Sequence, residues 1–195
     1  MKKIELNGSK RQVIGKKATK ELRREGKVPG VLYGGKEVKH FVIDEKLLKP
    51  LIYTPSVYII SLNIDGDKHE AILQDIQYHP VSDRILHVDL LHIFDDKPVV
   101  IEIPVVLEGL AEGVKAGGRL SLEQRKLRVK ALPVNLPDTL DINISHLKLG
   151  DSVQVGALSF DKLELLNAKN SVVATVKLTR AARAAQTGEG EEEAK

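Results

Sequence analysis

Val57-Tyr58-Ile59-Ile60-Ser61-Leu62-Asn63-Ile64-Asp65-Gly66-Asp67, with Lys68–Gln77 behind it, is the stretch that decides the fold. Up to Ile64, apolar and polar residues alternate with the two-residue period of a half-buried strand. Asp65-Gly66-Asp67 then signals a tight turn, and Lys68–Gln77 returns as the partner strand. Outward from this hairpin, Ile85–Phe94 alternates in the same way, placing His87 and Asp89 on one face and Leu86, Val88 and Leu90 on the other. Upstream, Gly30–Tyr33 and His40–Ile43 read as two further strands. Asp44 is placed to cap a helix that turns Leu47, Leu48 and Leu51 inward, and Pro50 keeps that helix short or kinked by removing a backbone donor.

Asp95-Asp96-Lys97-Pro98 interrupts the pattern, and a domain boundary is expected near residue 95. A second block of strands is predicted beyond it, at Val99–Leu107, Lys126–Leu132, Thr139–Ile144, Ser152–Val155 and Val172–Leu178. Gly109, Gly113, Gly117 and Gly118 make the segment between the first two of these a mobile, glycine-rich connector. Residues 181–195 are acidic, low in complexity and too poor in apolar side chains to order themselves, so they are expected to form a disordered tail. The chain thus divides into 1–95, 96–180 and 181–195.

Composition narrows the chemistry. The 195 residues are 42% hydrophobic with no Trp, three Phe and four Tyr, so the cores must be built of Val, Ile and Leu, the residues of strands. The absence of Cys rules out disulfides, thiolate zinc sites and cysteine nucleophiles, and agrees with a reducing compartment. No apolar run follows the charged start, as a signal peptide would require, and none is long enough to span a membrane, so a soluble, cytoplasmic protein without a membrane partner is expected. Gly8 and Gly15 are too far apart for a phosphate-binding loop, the glycines at 109–118 lack dinucleotide-binding spacing, and there is no Gly-x-Ser-x-Gly elbow. His87-x-Asp89 could imitate a metal or acid–base pair, but it has no Cys and no second His at helical spacing, so neither a metal nor a cofactor is expected.

Charge points elsewhere. The net charge is only +3, yet residues 1–36 hold eleven Lys and Arg against three acids, whereas residues 37–95 sum to −5. Lys16–Glu25 is predicted as a helix closed by Gly26, with Ala18 and Leu22 as its apolar stripe. Lys16, Lys20, Arg23 or Arg24, and Lys27 recur at helical spacing and would lie on one face. Such a face is either a solvated surface or a seat for phosphates, whose condensed counterions it would release. Tyr33 follows, a ring able to lie against ribose or base, flanked by Gly30, Gly34 and Gly35, which permit close backbone approach. Asp89 repels phosphate, so on such a surface it either pairs with a nearby Lys or Arg or accepts from a base-edge amino group or a 2′-hydroxyl.

Several ordered motifs carry a resemblance that spans nearly the whole chain. Ser9-Lys10-Arg11, Gly15-Lys16-Lys17-Ala18-Thr19-Lys20-Glu21-Leu22-Arg23, Val28–Gly35, Gln74-Asp75-Ile76-Gln77-Tyr78-His79-Pro80 and His87-Val88-Asp89-Leu90 resemble the bacterial large-subunit ribosomal protein twenty-five family. Leu147–Val155 resembles the extra C-terminal domain of its long form, the general stress protein Ctc type. The resemblance implies a mainly β fold with short helices (α+β), an N-terminal small closed β-barrel and a C-terminal mostly antiparallel β domain. It also implies a non-enzymatic protein that binds 5S rRNA at an internal loop of non-Watson–Crick pairs in the central protuberance. Neighbouring ribosomal components would be its other partners, and it would be a monomer off the ribosome. The alternative is a stress-related RNA-binding protein acting off the ribosome. Carried over residue by residue, the RNA contacts are Arg11, Lys16, Thr19, Lys20, Arg23, Tyr33, Gln74, His87 and Asp89. Lys20 stands where short relatives carry arginine; an ammonium lacks the bidentate fork, so contact there would be to phosphate only.

Overall fold

The computed structural model describes residues 2–35 and 37–179; the 181–195 tail lies outside the described residues. By contact the chain falls into two compact units. Met1–Ile101 with Ala131–Asp138 forms the first, and Glu102–Lys130 with the described residues from Thr139 onward forms the second.

The first unit is built on a closed six-stranded barrel. Its elements are β1 (Lys2–Lys10), α1 (Lys16–Arg24), β2 (Lys27–Tyr33), β3 (Lys39–Asp44), α2 (Glu45–Ile52), β4 (Tyr58–Ile64), β5 (Asp67–Tyr78) and β6 (Ile85–His92). Strand order around the barrel is β1-β3-β2-β6-β5-β4. The β4–β5 hairpin pairs Ile64 with Asp67 and Ile59 with Ile72, the register its turn dictates. Closure comes from β1 running parallel to β4, from Lys2↔Tyr58 to Gly8↔Ile64.

β1 is a strand that the alternation rule passes over. Its odd positions are charged or polar and only Leu6 is fully buried, with Ile4 and Gly8 half-covered on the same side. Seven successive pairings along β4 supply the stability that its apolar content does not.

Inward-facing Leu6, Val28, Leu32, Phe41, Ile43, Ile60, Leu62, Ile64, Val88 and Leu90 make one core, joined by Leu48 and Leu51 of α2. Asp44 does occupy the N-cap position of that helix, in extended conformation, but its side chain makes no capping hydrogen bond. Pro50 lies inside an eight-residue helix, and the Thr54 hydroxyl donates to its carbonyl at 2.9 Å. Gly30 departs from expectation. It is buried between β3 and β6, where an added Cβ would lie 2.4 Å from Phe41 Cζ. Its missing side chain makes room for a core ring and offers no approach to a ligand.

The second half of the chain contributes β7 (Val99–Glu108), α3 (Glu112–Lys115), β8 (Arg119–Leu122), β9 (Lys126–Ala131), β10 (Leu140–Asn143), β11 (Ser152–Gln154), β12 (Glu164–Leu165) and β13 (Val172–Lys177). They form a sheet ordered β10-β7-β9-β12 and another ordered β11-β13-β8. β10 runs parallel to β7, while β12–β9, β11–β13 and β13–β8 are antiparallel. The 109–118 segment differs from the expected mobile connector because it holds α3. The Gly113 N–H donates to the Leu147 carbonyl at 2.8 Å, and a Cβ on Gly113 would meet Lys148 backbone at 2.5 Å. Gly113 and Gly118 serve close packing, while Gly109 and Gly117 take positive φ, at 86° and 89°.

Candidate nucleic-acid interface

α1 begins after Gly15 without a side-chain cap and ends at Arg24, with Gly26 at φ 76° turning the chain into β2. It has no fully buried residue; Ala18 and Leu22 are only half-covered. An isolated nine-residue helix is marginal in water, so something besides apolar packing must hold it.

Polar tethers do so at both ends. Arg11 Nη2 donates to Thr19 Oγ1 at 2.6 Å and Arg11 Nε to the Val13 carbonyl at 3.0 Å, while the Thr19 hydroxyl donates to the Gly15 carbonyl at 2.7 Å. At the other end, Arg23 Nε and Nη2 both donate to the Leu86 carbonyl, at 3.0 and 2.8 Å. Arg84 Nη2 donates to the Arg23 carbonyl at 2.8 Å and to Glu45 Oε2 at 3.3 Å.

These bonds redistribute the cations. Lys16, Lys17, Lys20 and Arg24 are exposed and make no side-chain hydrogen bond or ion pair among the described residues. Arg11 and Arg23 spend part of their guanidinium donors inside the fold. Lys27 leaves the predicted helical face, because it begins β2 and its Nζ lies 2.9 Å from Glu25 Oε2.

Beside α1 the barrel wall offers a polar face on β2, β6 and β5. Val31 pairs with Asp89, Asp75 sits opposite Asp89, and Gln77 sits opposite His87. Between Leu73 and Asp75 the register shifts, leaving Gln74 as the extra residue of a β-bulge, a device that re-aims a side chain. His87 Nδ1 lies 2.6 Å from Asp89 Oδ1, and both side chains are about a quarter exposed, at 26% and 29%. Among the described residues Asp89 pairs with neither a Lys nor an Arg. Two carboxylates directly across a ladder repel, and the His87 bond gives Asp89 a partner that Asp75 cannot be. Asp75 instead accepts the Ile76 N–H at 2.9 Å. Burial first, then the Asp89 and Asp75 charges, push the Tyr33 phenol above its ordinary value.

The structure thus gathers the nine candidates into two adjoining groups. Arg11, Lys16, Thr19, Lys20 and Arg23 lie on α1 and its lead-in; Tyr33, Gln74, His87 and Asp89 lie on the strand face. The Arg23–Leu86 bond joins the groups next to His87. Sequence reading missed Arg84, whose role depends on partners 39 and 61 positions away. It also missed Gln77 as the cross-strand neighbour of His87, for which the period-2 pattern of β5 was an available signal. Among the described residues no three His, Asp or Glu side chains converge as a metal site would need.

A small barrel that presents a cationic helix beside a hydrogen-bonding strand face, followed by a second β unit, has the make-up of a ribonucleoprotein component rather than of a pocketed enzyme. The Ribosomal L25p family matches residues 6–90, and the family described as Ribosomal protein TL5, C-terminal domain, matches residues 98–180. The chain is 55% identical over 195 residues to large ribosomal subunit protein bL25 of Bacteroides fragilis, covering 97% of this chain and 100% of that one. Identity is 52% over 191 residues to the bL25 of Parabacteroides distasonis, covering 95% and 98% of the two chains. It is 57% over 184 residues to that of Azobacteroides pseudotrichonymphae, covering 94% and 97%. This chain belongs to the Ribosomal L25p family, in its long form with the second domain. It is a structural, non-enzymatic protein of the large ribosomal subunit.

Proposed function

We propose that this chain binds 5S rRNA at an internal loop of non-Watson–Crick pairs within the central protuberance, acting in the cytoplasm as a monomer until it joins the ribosome and its neighbouring components there. The observation that carries this reading is the juncture at Arg23 and Leu86, which sets a row of cations without a partner among the described residues against a face of hydrogen-bonding side chains.

A regular A-form helix hides its major groove from side chains, so an irregular loop with a widened groove is the target such a surface suits. Lys16, Lys17, Lys20 and Arg24 contact phosphates and set the register; the strand face reads identity. In the tautomer that donates from His87 Nδ1 to Asp89, Nε2 is an acceptor for a 2′-hydroxyl or an amino group. The second Asp89 oxygen accepts from another donor, and Gln74, lifted by its bulge, both donates and accepts. Tyr33 supplies the ring surface.

The test compares a 5S transcript with a regular duplex of equal length. Asp89→Ala reduces the preference for 5S rRNA roughly 10-fold, the worth of one specific polar readout, while leaving duplex affinity in place. Lys20→Ala weakens both RNAs alike. Four exposed cations give a log–log salt slope of roughly 3 to 4, at about 0.9 per phosphate if duplex RNA behaves as duplex DNA. A full chain that binds both RNAs equally, with Asp89→Ala without effect, refutes the reading.

A further inference from the structure

α1 carries the exposed cations yet has no fully buried side chain, so its place on the barrel depends on the bonds at its ends. Arg84 and the Arg23 side chain together hold the C-terminal end. Its Nη2 reaches the Arg23 carbonyl in the last turn of α1 at 2.8 Å and Glu45 Oε2, in the first turn of α2, at 3.3 Å. A cation on the last carbonyls of a helix complements the negative end of the helix dipole, and Arg84 shares the Arg23 carbonyl with the Gly26 N–H, which donates to it at 3.3 Å. The Arg23 side chain meanwhile donates twice to the Leu86 carbonyl, so the two arginines cross between α1 and the start of β6.

Arg84 is itself well placed to act as an anchor. It closes the β5–β6 connection, where the His79 N–H donates to the Arg84 carbonyl at 2.8 Å and the Asp83 N–H to the His79 carbonyl at 3.0 Å. His79 Nδ1 accepts the Val81 and Ser82 N–H groups at 3.3 Å each, which tightens the same loop. The Arg84 side chain is half exposed, so its bond to Glu45 is of the modest surface kind, and the backbone carbonyl of α1 is the stronger hold.

We propose that Arg84 is a positioning residue for RNA binding: it clamps the end of α1 to β6 and α2, and so fixes where the α1 cations stand relative to His87 and Asp89. The inference rests on the RNA-binding reading above for its functional consequence, but not for its structural one. Arg84 acts through Arg23 and needs no contact with phosphate.

The experiment uses the full chain, wild type and Arg84→Ala, Arg84→Lys and Lys20→Ala. Affinity for a 5S transcript is measured across a salt series, and amide hydrogen exchange is measured on the free proteins. Expected for Arg84→Ala is a loss of roughly 3- to 10-fold in affinity at every salt concentration, as for one lost hydrogen bond, with the salt slope unchanged. Lys20→Ala instead lowers the slope by about 0.9. In free Arg84→Ala, amides of residues 16–25 exchange faster while those of β4 and β5 keep their protection, which separates loss of position from loss of fold. Arg84→Lys, which keeps a donor but not the fork, recovers part of both effects. A salt slope lowered as in Lys20→Ala would make Arg84 a phosphate contact and overturn the proposal. Unchanged exchange in α1 would overturn it whether or not RNA binds. Failure of the wild type to bind the transcript would instead defeat the RNA-binding reading, leaving the clamp to be judged by exchange alone.

Discussion

Replacing Gly30 with Ala tests whether the barrel interior is as tightly filled as the structure shows. The added Cβ would lie 2.4 and 2.5 Å from Phe41 Cζ and Cε2 and 3.0 Å from the Val88 carbonyl oxygen. Carbon atoms in good contact stand about 3.5 to 4.0 Å apart, so the ring must retreat by more than about 1 Å. Phe41 is only 1% exposed and has no solvent side to move into, and the Val88 oxygen belongs to the neighbouring strand. Overpacking of this kind costs about 1–3 kcal/mol. Against it stands a gain of about 0.4–1 kcal/mol from stiffening the unfolded chain, because Gly30 lacks the positive φ that would penalise alanine. The net expectation is a loss of about 1–2 kcal/mol. All four tyrosines, Tyr33, Tyr53, Tyr58 and Tyr78, lie in the barrel unit and there is no tryptophan, so tyrosine emission during urea unfolding reports on the barrel alone. Phe41→Leu removes the obstructing ring atoms, and in the double variant the two losses combine to less than their sum. A Gly30→Ala protein with an unchanged or higher urea midpoint would refute the reasoning.

Leu48→Ala, at a position 1% exposed where α2 joins the barrel core, lowers barrel stability by about 2–5 kcal/mol in the same urea assay; a loss under about 1 kcal/mol would show that α2 is not part of the core. His69 supplies a pH dependence, since burial first, then Lys39 and His92, hold its pKa below the ordinary value of 6.5. As pH falls below that value the unfolded chain takes up a proton that the fold resists, so stability declines until the lower folded pKa is passed and then levels off. His69→Gln removes that part of the decline, read as urea midpoints between about pH 7.5 and 5, and an identical pH profile in the variant would contradict the assignment.

The parts of the fold legible in the sequence are those where one face is buried and the other wet. β4, β6 and β9 show this directly: in β9, Leu127, Val129 and Ala131 are buried and Lys126, Arg128 and Lys130 exposed. Where burial is sparse the signal fails. β1 has one fully buried residue, and β8 and β12 are four and two residues long, so pairing with distant partners defines them. The candidate surface was legible as a set of residue types but not as a set of bonds. Nothing local says that Arg23 donates to Leu86, that Lys27 turns to Glu25, or that Gly30 shelters Phe41. The His87–Asp89 pair lay between these cases, because strand alternation put the two side chains on one face but left the partner of Asp89 open.

The parallel pairing of β1 with β4 has a consequence for how the protein is made. As β1 leaves the exit tunnel it finds neither neighbour waiting: β3 arrives some thirty residues later, and the lane along Tyr58–Ile64 later still. Until then its amides have only water and chaperones for company, and long-range pairing of this sort is slow to nucleate. Polar outward positions along Lys2–Lys10 keep that waiting strand soluble and discourage it from sticking to a stranger's edge.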